Sequence, residues 1–159
     1  MTWPLCRPGR ARRMWRAGFS MIELIISIAV LAVVFAFGFL QWRDYTELQR
    51  VRYGTVQMAT DVREAMERAK AERAAYTVNL TAFSADYSIV RVSGGYTENA
   101  KLPSGVTATA TQTVRFSAFG KPVASDWTTP TGYNISMQNS KGAGTVTVTS
   151  AGGVTYQQP

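Results

Sequence analysis

The feature that most limits what this chain can be is an apolar run holding a single charge. Residues 19–40 read FSMIELIISIAVLAVVFAFGFL, and Glu23 is the one ionisable side chain among them. As a helix rising ~1.5 Å per residue, this stretch reaches about 30 Å, the hydrocarbon thickness of a bilayer. The segment before it, MTWPLCRPGRARRMWRAG, carries five arginines (Arg7, Arg10, Arg12, Arg13 and Arg16) and no acid. Basic flanks stay cytoplasmic, so the residues after about 41 are expected outside.

That placement disposes of a misleading number. The chain of 159 residues has a net charge of +7, which by itself suggests nucleic acid or an anionic membrane as partner. From Phe19 onward, however, twelve basic residues face ten acidic ones, a net of +2. The basic character belongs to the N-terminal segment and not to a folded surface.

An ordinary secretory signal peptide also has a basic start and an apolar core, and Ala36-Phe37-Gly38 offers a small-x-small cleavage pattern. Two features count against it. The run exceeds the usual core of about 7–15 residues. Glu23 lies near its start, where a buried charge costs a few kcal/mol. A plain membrane anchor is the other simple alternative.

An acid inside an apolar segment calls for a named partner. If the chain is cut just before Phe19, the new α-amino group is a cation four residues from Glu23, at helical spacing. It could neutralise its own Glu23 or that of a neighbouring subunit. In a bundle of packed helices such a pair sets the stagger, because either charge left alone in apolar surroundings is costly.

Gly18-Phe19-Ser20-Met21-Ile22-Glu23-Leu24 resembles the type III signal of prepilins and pseudopilins. That signal is a short basic leader ending in Gly, then an aromatic, small and apolar residues, and Glu at the fifth mature position. The resemblance implies that a prepilin peptidase cuts between Gly18 and Phe19 and methylates the Phe19 amine. It implies a single-pass protein of the inner membrane with its C-terminal domain periplasmic. The implied partners are other pilin or pseudopilin subunits and an assembly platform. Met1 and Met14 are alternative starts, and the second would leave the leader Met-Trp-Arg-Ala-Gly.

Residues 41–76 contain no proline. Apolar or small side chains recur there at Leu48, Val51, Thr55, Met58, Val62, Ala65, Met66, Ala69 and Tyr76, in steps that fit a helix. Glu64 with Arg68 and Glu67 with Lys70 are spaced for ion pairs on its surface. One helix is expected from about 19 to about 75. Its first half (19–40) is transmembrane or filament core; its second half (41–76) is amphipathic and packs on the domain that follows. The charged face with Arg43, Asp44, Glu47, Arg50 and Arg52 reads as solvated or as a subunit contact. Gly38 and Gly54 are weak points, each costing about 1 kcal/mol against Ala; they mark bends, close approaches or mere tolerance.

After Tyr76 the composition turns to Thr, Val, Ser, Tyr and Gly. Strand-like runs are Tyr76–Leu80, Tyr87–Val92, Val106–Ala110, Thr113–Phe116, Tyr133–Met137, Thr145–Thr149 and Val154–Gln157. Gly94-Gly95, Pro103-Ser104-Gly105, Phe119-Gly120-Lys121-Pro122, Lys141-Gly142-Ala143-Gly144 and Gly152-Gly153 punctuate them. Residues 81–86 and 123–132 read as loops, and Ser150–Gly153 as the turn of a final hairpin. The expected fold class is α+β: a long N-terminal helix packed on a small antiparallel β domain, residues 77–159. Ile89, Val114, Phe116, Ile135, Met137, Val146 and Val148 are expected on the covered face. The run Val114–Pro122, followed by the Tyr133–Met137 strand and last hairpin, resembles the GspH/FimT class of minor pilins and pseudopilins. The lack of a cysteine pair near the C-terminus leans away from a major pilin with a disulfide-closed loop.

No catalytic constellation is visible. There is no histidine, so no Ser-His-Asp arrangement, and no phosphate loop. Cys6 is the one cysteine, which removes intrachain disulfides and Cys/His metal sites. Asp86, Glu98 and Asp126 are scattered acids, poorly spaced for calcium. No cofactor is expected. Some pilins of this class serve DNA uptake, and Arg91, Lys101, Arg115, Lys121 and Lys141 could form a phosphate-binding patch if the fold brought them together. Three functions therefore compete: a structural minor pilin or pseudopilin, a DNA-binding minor pilin, and a secreted or tethered enzyme, for which no residue speaks.

Overall fold

The computed structural model describes residues 20–159. They form one long helix, α1 (Met21–Glu72), followed by nine strands. The strands are β1 (Tyr76–Leu80), β2 (Asp86–Arg91), β3 (Thr97–Lys101), β4 (Thr107–Ala108), β5 (Gln112–Phe116), β6 (Pro122–Val123), β7 (Tyr133–Gln138), β8 (Ala143–Val148) and β9 (Val154–Gln157). The chain divides into two compact units between Phe39 and Leu40, and residues of α1 belong to each. The α+β expectation holds.

In the first unit the helix from Met21 to Phe39 exposes every side chain. It is apolar all round, a pattern a helix keeps only in a buried or membrane setting. By length and composition it can cross a membrane.

In the second unit the helix buries one stripe. Val51, Thr55, Met58, Ala59, Val62, Ala65, Met66 and Ala69 recur at steps of three and four and are all buried. All but Thr55 join Tyr76, Val78, Ile89, Val114, Phe116, Ile135, Met137, Val146 and Val148 in one apolar cluster. The seven sheet positions expected to face the helix are all in it. Along β1, β5 and β8 buried and half-buried residues alternate, the period-two signature of a sheet covered on one face.

The strands make two antiparallel sheets, ordered β3-β2-β1-β5-β6 and β4-β7-β8-β9. The last hairpin turns as expected, with Thr149 N–H donating to Gly153 O (2.8 Å) and Gly152 N–H to Thr149 O (2.8 Å). Val148 faces Val154 across it.

Several boundaries differ from the sequence reading. The helix stops at Glu72, short of the expected 75, because Arg73 adopts a left-handed φ of 50°. Ala74 N–H then bonds back to Ala69 O at 3.2 Å, the closing bond of a left-handed helix cap. Tyr76, at once the end of the expected helical span and the start of the expected strand Tyr76–Leu80, opens β1. β3 was not expected: TENAK has no apolar alternation, being an edge strand. β6 was read as turn, yet Pro122 and Val123 are buried and pair with Phe116 and Arg115. Proline is tolerated there because β6 is a sheet edge. The expected strand Val106–Ala110 shrinks to the two residues of β4.

The two helix glycines differ in their surroundings. A Cβ on Gly54 would meet Pro103 Cδ at 3.3 Å and Val106 Cγ1 at 3.4 Å, so Gly54 marks a close approach. Gly38 has no such neighbour within 4 Å.

A polar network ties the helix to the first sheet. Gln57 Nε2 donates to Tyr87 Oη (3.0 Å) and to Lys101 O (3.0 Å), and the Tyr87 hydroxyl donates to the Asp61 carboxylate. Burial pushes the Asp61 carboxyl up, opposed by that hydroxyl. Burial and the bond to Asp61 hold the Tyr87 phenol far above its ordinary value. Burial and a bond to Glu72 (2.7 Å) also raise Tyr76. For a phenol raised on folding, the stabilisation is complete below the unfolded value of about 10 and is lost as pH climbs toward the folded one. Urea midpoints of the full chain in detergent are therefore expected to fall above pH ~10. Tyr87→Phe should make that decline shallower; an unchanged slope would mean that Tyr87 does not contribute to it.

Candidate functional site

Glu23 occupies the first turn of α1, where an acid is favoured by the helix dipole. Its backbone carbonyl accepts from Ser27 Oγ at 2.7 Å. Around it Met21, Ile22, Leu24, Ile25 and Ile26 are each more than half exposed. The structure thus presents a carboxylate on an uncovered apolar helix, near the end that the cleavage expectation makes the N-terminus. Gly18 and Phe19, expected as the cleavage and methylation positions, lie outside the described residues.

The β domain is quiet by comparison. Among the described residues no group of three His, Cys, Asp or Glu could hold a metal ion. The acids considered for calcium are spent on local contacts. Asp126 accepts from Thr128 N–H (3.1 Å), Thr129 N–H (3.0 Å) and Thr129 Oγ1 (2.5 Å), which hold its carboxyl well below the usual range. Asp86 pairs with Lys101 (3.6 Å) and Glu98 with Arg68 (2.9 Å). A concavity of about 450 Å³ beside these strands is lined by polar side chains including Asn79, Ser88, Asn99 and Lys101.

The five bases of the β domain are not gathered into one patch. Arg91 ends β2 and pairs with Glu72 (3.5 Å), whereas Lys101 lies opposite Asp86 at the other end of that strand. Lys141, in the β7–β8 turn of the second sheet, pairs with Asp44 on the helix (2.9 Å). Arg115 and Lys121 lie on β5 and in the turn after it.

The charged helix face is partly structural. Glu47 receives Arg50 (2.6 Å), and Asn139 donates to Glu47 O (2.7 Å) and to its carboxylate (3.2 Å). The expected Glu64–Arg68 and Glu67–Lys70 pairs form at 2.5 Å and 2.8 Å. One surface escaped the sequence reading. On the far side of the helix from the buried stripe, Trp42, Tyr45, Tyr53 and Val56 are exposed. Their steps of three, eight and three place them on one helix face, which is the sequence signal for this surface.

The chain is similar to known proteins in its N-terminal motif and in its fold. The model of the prokaryotic N-terminal methylation motif matches residues 16–39. No curated protein matches it significantly in sequence. Among solved structures it is similar to the type IV minor pilin FimU of Pseudomonas aeruginosa (strain PAO1), with 18% identity and a TM-score of 0.53, over 71% of this chain and 92% of that one. A second crystal form of FimU gives 18% identity and a TM-score of 0.49 over 67% and 91%. At such identity the first likeness speaks for fold, and the motif match speaks for the N-terminus. The chain carries the N-terminal methylation motif of prokaryotic prepilins on a pilin-like fold.

Proposed function

We propose that this protein is a structural minor subunit of a type IV pilus or of the related type II secretion pseudopilus. It is held in the inner membrane as a precursor, with residues 1–18 as leader and the domain of residues 77–159 on the periplasmic side. A prepilin peptidase cuts after Gly18 and methylates the Phe19 amine. Residues 19–40 then leave lipid for a bundle of like helices, drawn by an assembly platform, while residues 41–76 carry the β domain. The observation that carries this reading is the methylation motif over residues 16–39, set on a wholly exposed apolar helix ahead of a pilin-like domain. In such a bundle the Phe19 amine and Glu23 of neighbouring subunits neutralise each other, and the apolar side chains supply the burial.

A DNA-binding role finds no comparable support, since Arg91, Lys101 and Lys141 are each engaged by an acid at separate places.

The test is peptide mass spectrometry of the protein from its native host. The expected mature chain begins at Phe19 and carries one added methyl group. A chain beginning after Gly38 would make this an ordinary secreted protein, and an uncut chain would leave a membrane-tethered domain; either result overturns the proposal.

A further inference from the structure

The first sheet turns Val78, Leu80, Tyr87 and Ile89 into the core, and the residues between them face the other way. On that outer face, strand pairing sets Asn79 of β1 opposite Ser88 of β2, and Ser88 opposite Asn99 of β3. The three polar side chains form one row across the strands, at a step of about 4.8 Å. With Thr81, Asp86 and Lys101 they line the concavity of about 450 Å³. Little in the chain uses these groups. Among the described residues, the Asn79 amide has one weak contact, to Thr77 Oγ1 at 3.5 Å, and the side chains of Ser88 and Asn99 make no hydrogen bond. Asp86 and Lys101 offset each other's charge at 3.6 Å. The row is rich in donors and acceptors yet carries no net charge.

The turn from β1 to β2 adds an aromatic ring. Phe83 lies in sequence between Thr81 and Asp86 and is 75% exposed. Its backbone is left-handed, with a φ of 59°, and its N–H donates to Ala108 O at 2.8 Å. Bulky residues are rare in that conformation, which glycine takes without strain. A strained backbone that exposes a ring instead of burying it points to a use outside the chain.

The chemistry of these groups selects a ligand. A nucleic acid or other polyanion needs free cations, and Lys101 is paired. A protein partner needs an apolar or aromatic centre, which the row lacks. Amides and hydroxyls both donate and accept, as the hydroxyls of a sugar do. The electron-rich face of an aromatic ring takes the C–H groups of a sugar ring. The strand step is close to the length that one sugar adds to an extended β-linked glycan. We propose that this face binds an uncharged β-linked glycan laid across β1, β2 and β3, with its hydroxyls on Asn79, Ser88 and Asn99 and one sugar ring on Phe83. The site stands apart from the assembly reading, since it is built from the β domain alone.

The experiment titrates cello- and chito-oligosaccharides into the full chain, held in a detergent without a sugar headgroup, and follows binding by isothermal calorimetry. Malto-oligosaccharides, which are α-linked, and a heparin fragment are the controls. The expected result is binding of at least one β-linked series in the millimolar range or tighter, and of neither control. Asn79→Ala combined with Asn99→Ala should weaken that binding at least about tenfold. Phe83→Gly should weaken it as much, and because glycine relaxes the left-handed backbone, the thermal midpoint should stay near that of the parent chain. Failure of both β-linked series to bind overturns the proposal, as does binding of either control in their place. Binding that survives either variant unchanged also overturns it.

Discussion

Gly144→Ala should unfold or severely destabilise the β domain, with a loss of at least about 3 kcal/mol, the upper range for forcing extra atoms into a packed core. Gly144 is a buried position near the start of β8, opposite Met137. A Cβ there would stand 2.1 Å from Thr55 Oγ1, 3.2 Å from Thr55 Cβ and 3.4 Å from Thr55 Cγ2. Thr55 cannot swing aside without cost, since it is fully buried and its hydroxyl donates to Val51 O at 2.8 Å. A threonine in a helix is limited to two χ1 rotamers, and turning it here would break the bond to Val51 O. The helix backbone and β8 therefore touch through a glycine and a threonine that fit only each other.

The same geometry predicts a rescue. Thr55→Ala removes Oγ1 and Cγ2, leaving one tight Cβ–Cβ approach that a shift of a few tenths of an ångström relieves. Thr55→Ala with Gly144→Ala should therefore be more stable than Gly144→Ala alone, although Thr55→Ala by itself loses packing. Urea or thermal melts of the four chains close a double-mutant cycle, with a coupling of about 1–3 kcal/mol expected for residues in contact. Additive losses would show that β8 moves away instead, and that the close approach of helix and sheet is not fixed by this pair.

This contact also shows where sequence stops being informative. The helix was legible because its signals are local: an apolar run, then Val51, Met58, Val62 and Ala69 at helical steps. Arg73 lay within the expected span, but its left-handed turn had no glycine to announce it. The strands with a covered face were legible because alternation along Tyr76–Leu80 or Thr145–Val148 needs only one chain segment to be read. β3 was not, because both faces of TENAK are polar and its place is set by pairing with β2 and by Glu98 reaching Arg68. The meeting of Thr55 with Gly144, and the chain of Gln57, Tyr87 and Asp61, join residues distant in sequence and leave no periodic trace. The functional segment is the reverse case. Glu23 was conspicuous because a charge in an apolar run has no solvated explanation, whereas the outward stripe Trp42–Val56 was overlooked because exposed aromatics resemble ordinary amphipathic variation until their exposure is known.

Glu23→Ala should leave the chain inserted and processed but lower its entry into filaments by about two to three and a half powers of ten. Removing Glu23 makes residues 19–40 uniformly apolar, so insertion into lipid is expected to be as good or better. The helix loses little, for the acid contributes at most about 1 kcal/mol through the dipole at an exposed first turn. Assembly is where the cost falls. If residues 19–40 pack in a bundle as proposed, the Phe19 amine freed by cleavage needs a carboxylate, and an ion left without its partner in such surroundings costs about 3–5 kcal/mol. At 1.4 kcal/mol per factor of ten, that is the stated loss. Quantitative immunoblots of membranes and of sheared filaments from the same cells measure both arms at once. Glu23→Gln separates charge from hydrogen bonding, since it keeps the shape and an acceptor oxygen but not the counter-charge; it should fail nearly as badly as alanine. Normal incorporation of both variants would remove Glu23 from assembly and leave its carboxylate as a cap on the first turn of the helix, whereas failure of alanine with success of glutamine would show that an acceptor, and not a charge, is what the neighbouring subunit needs.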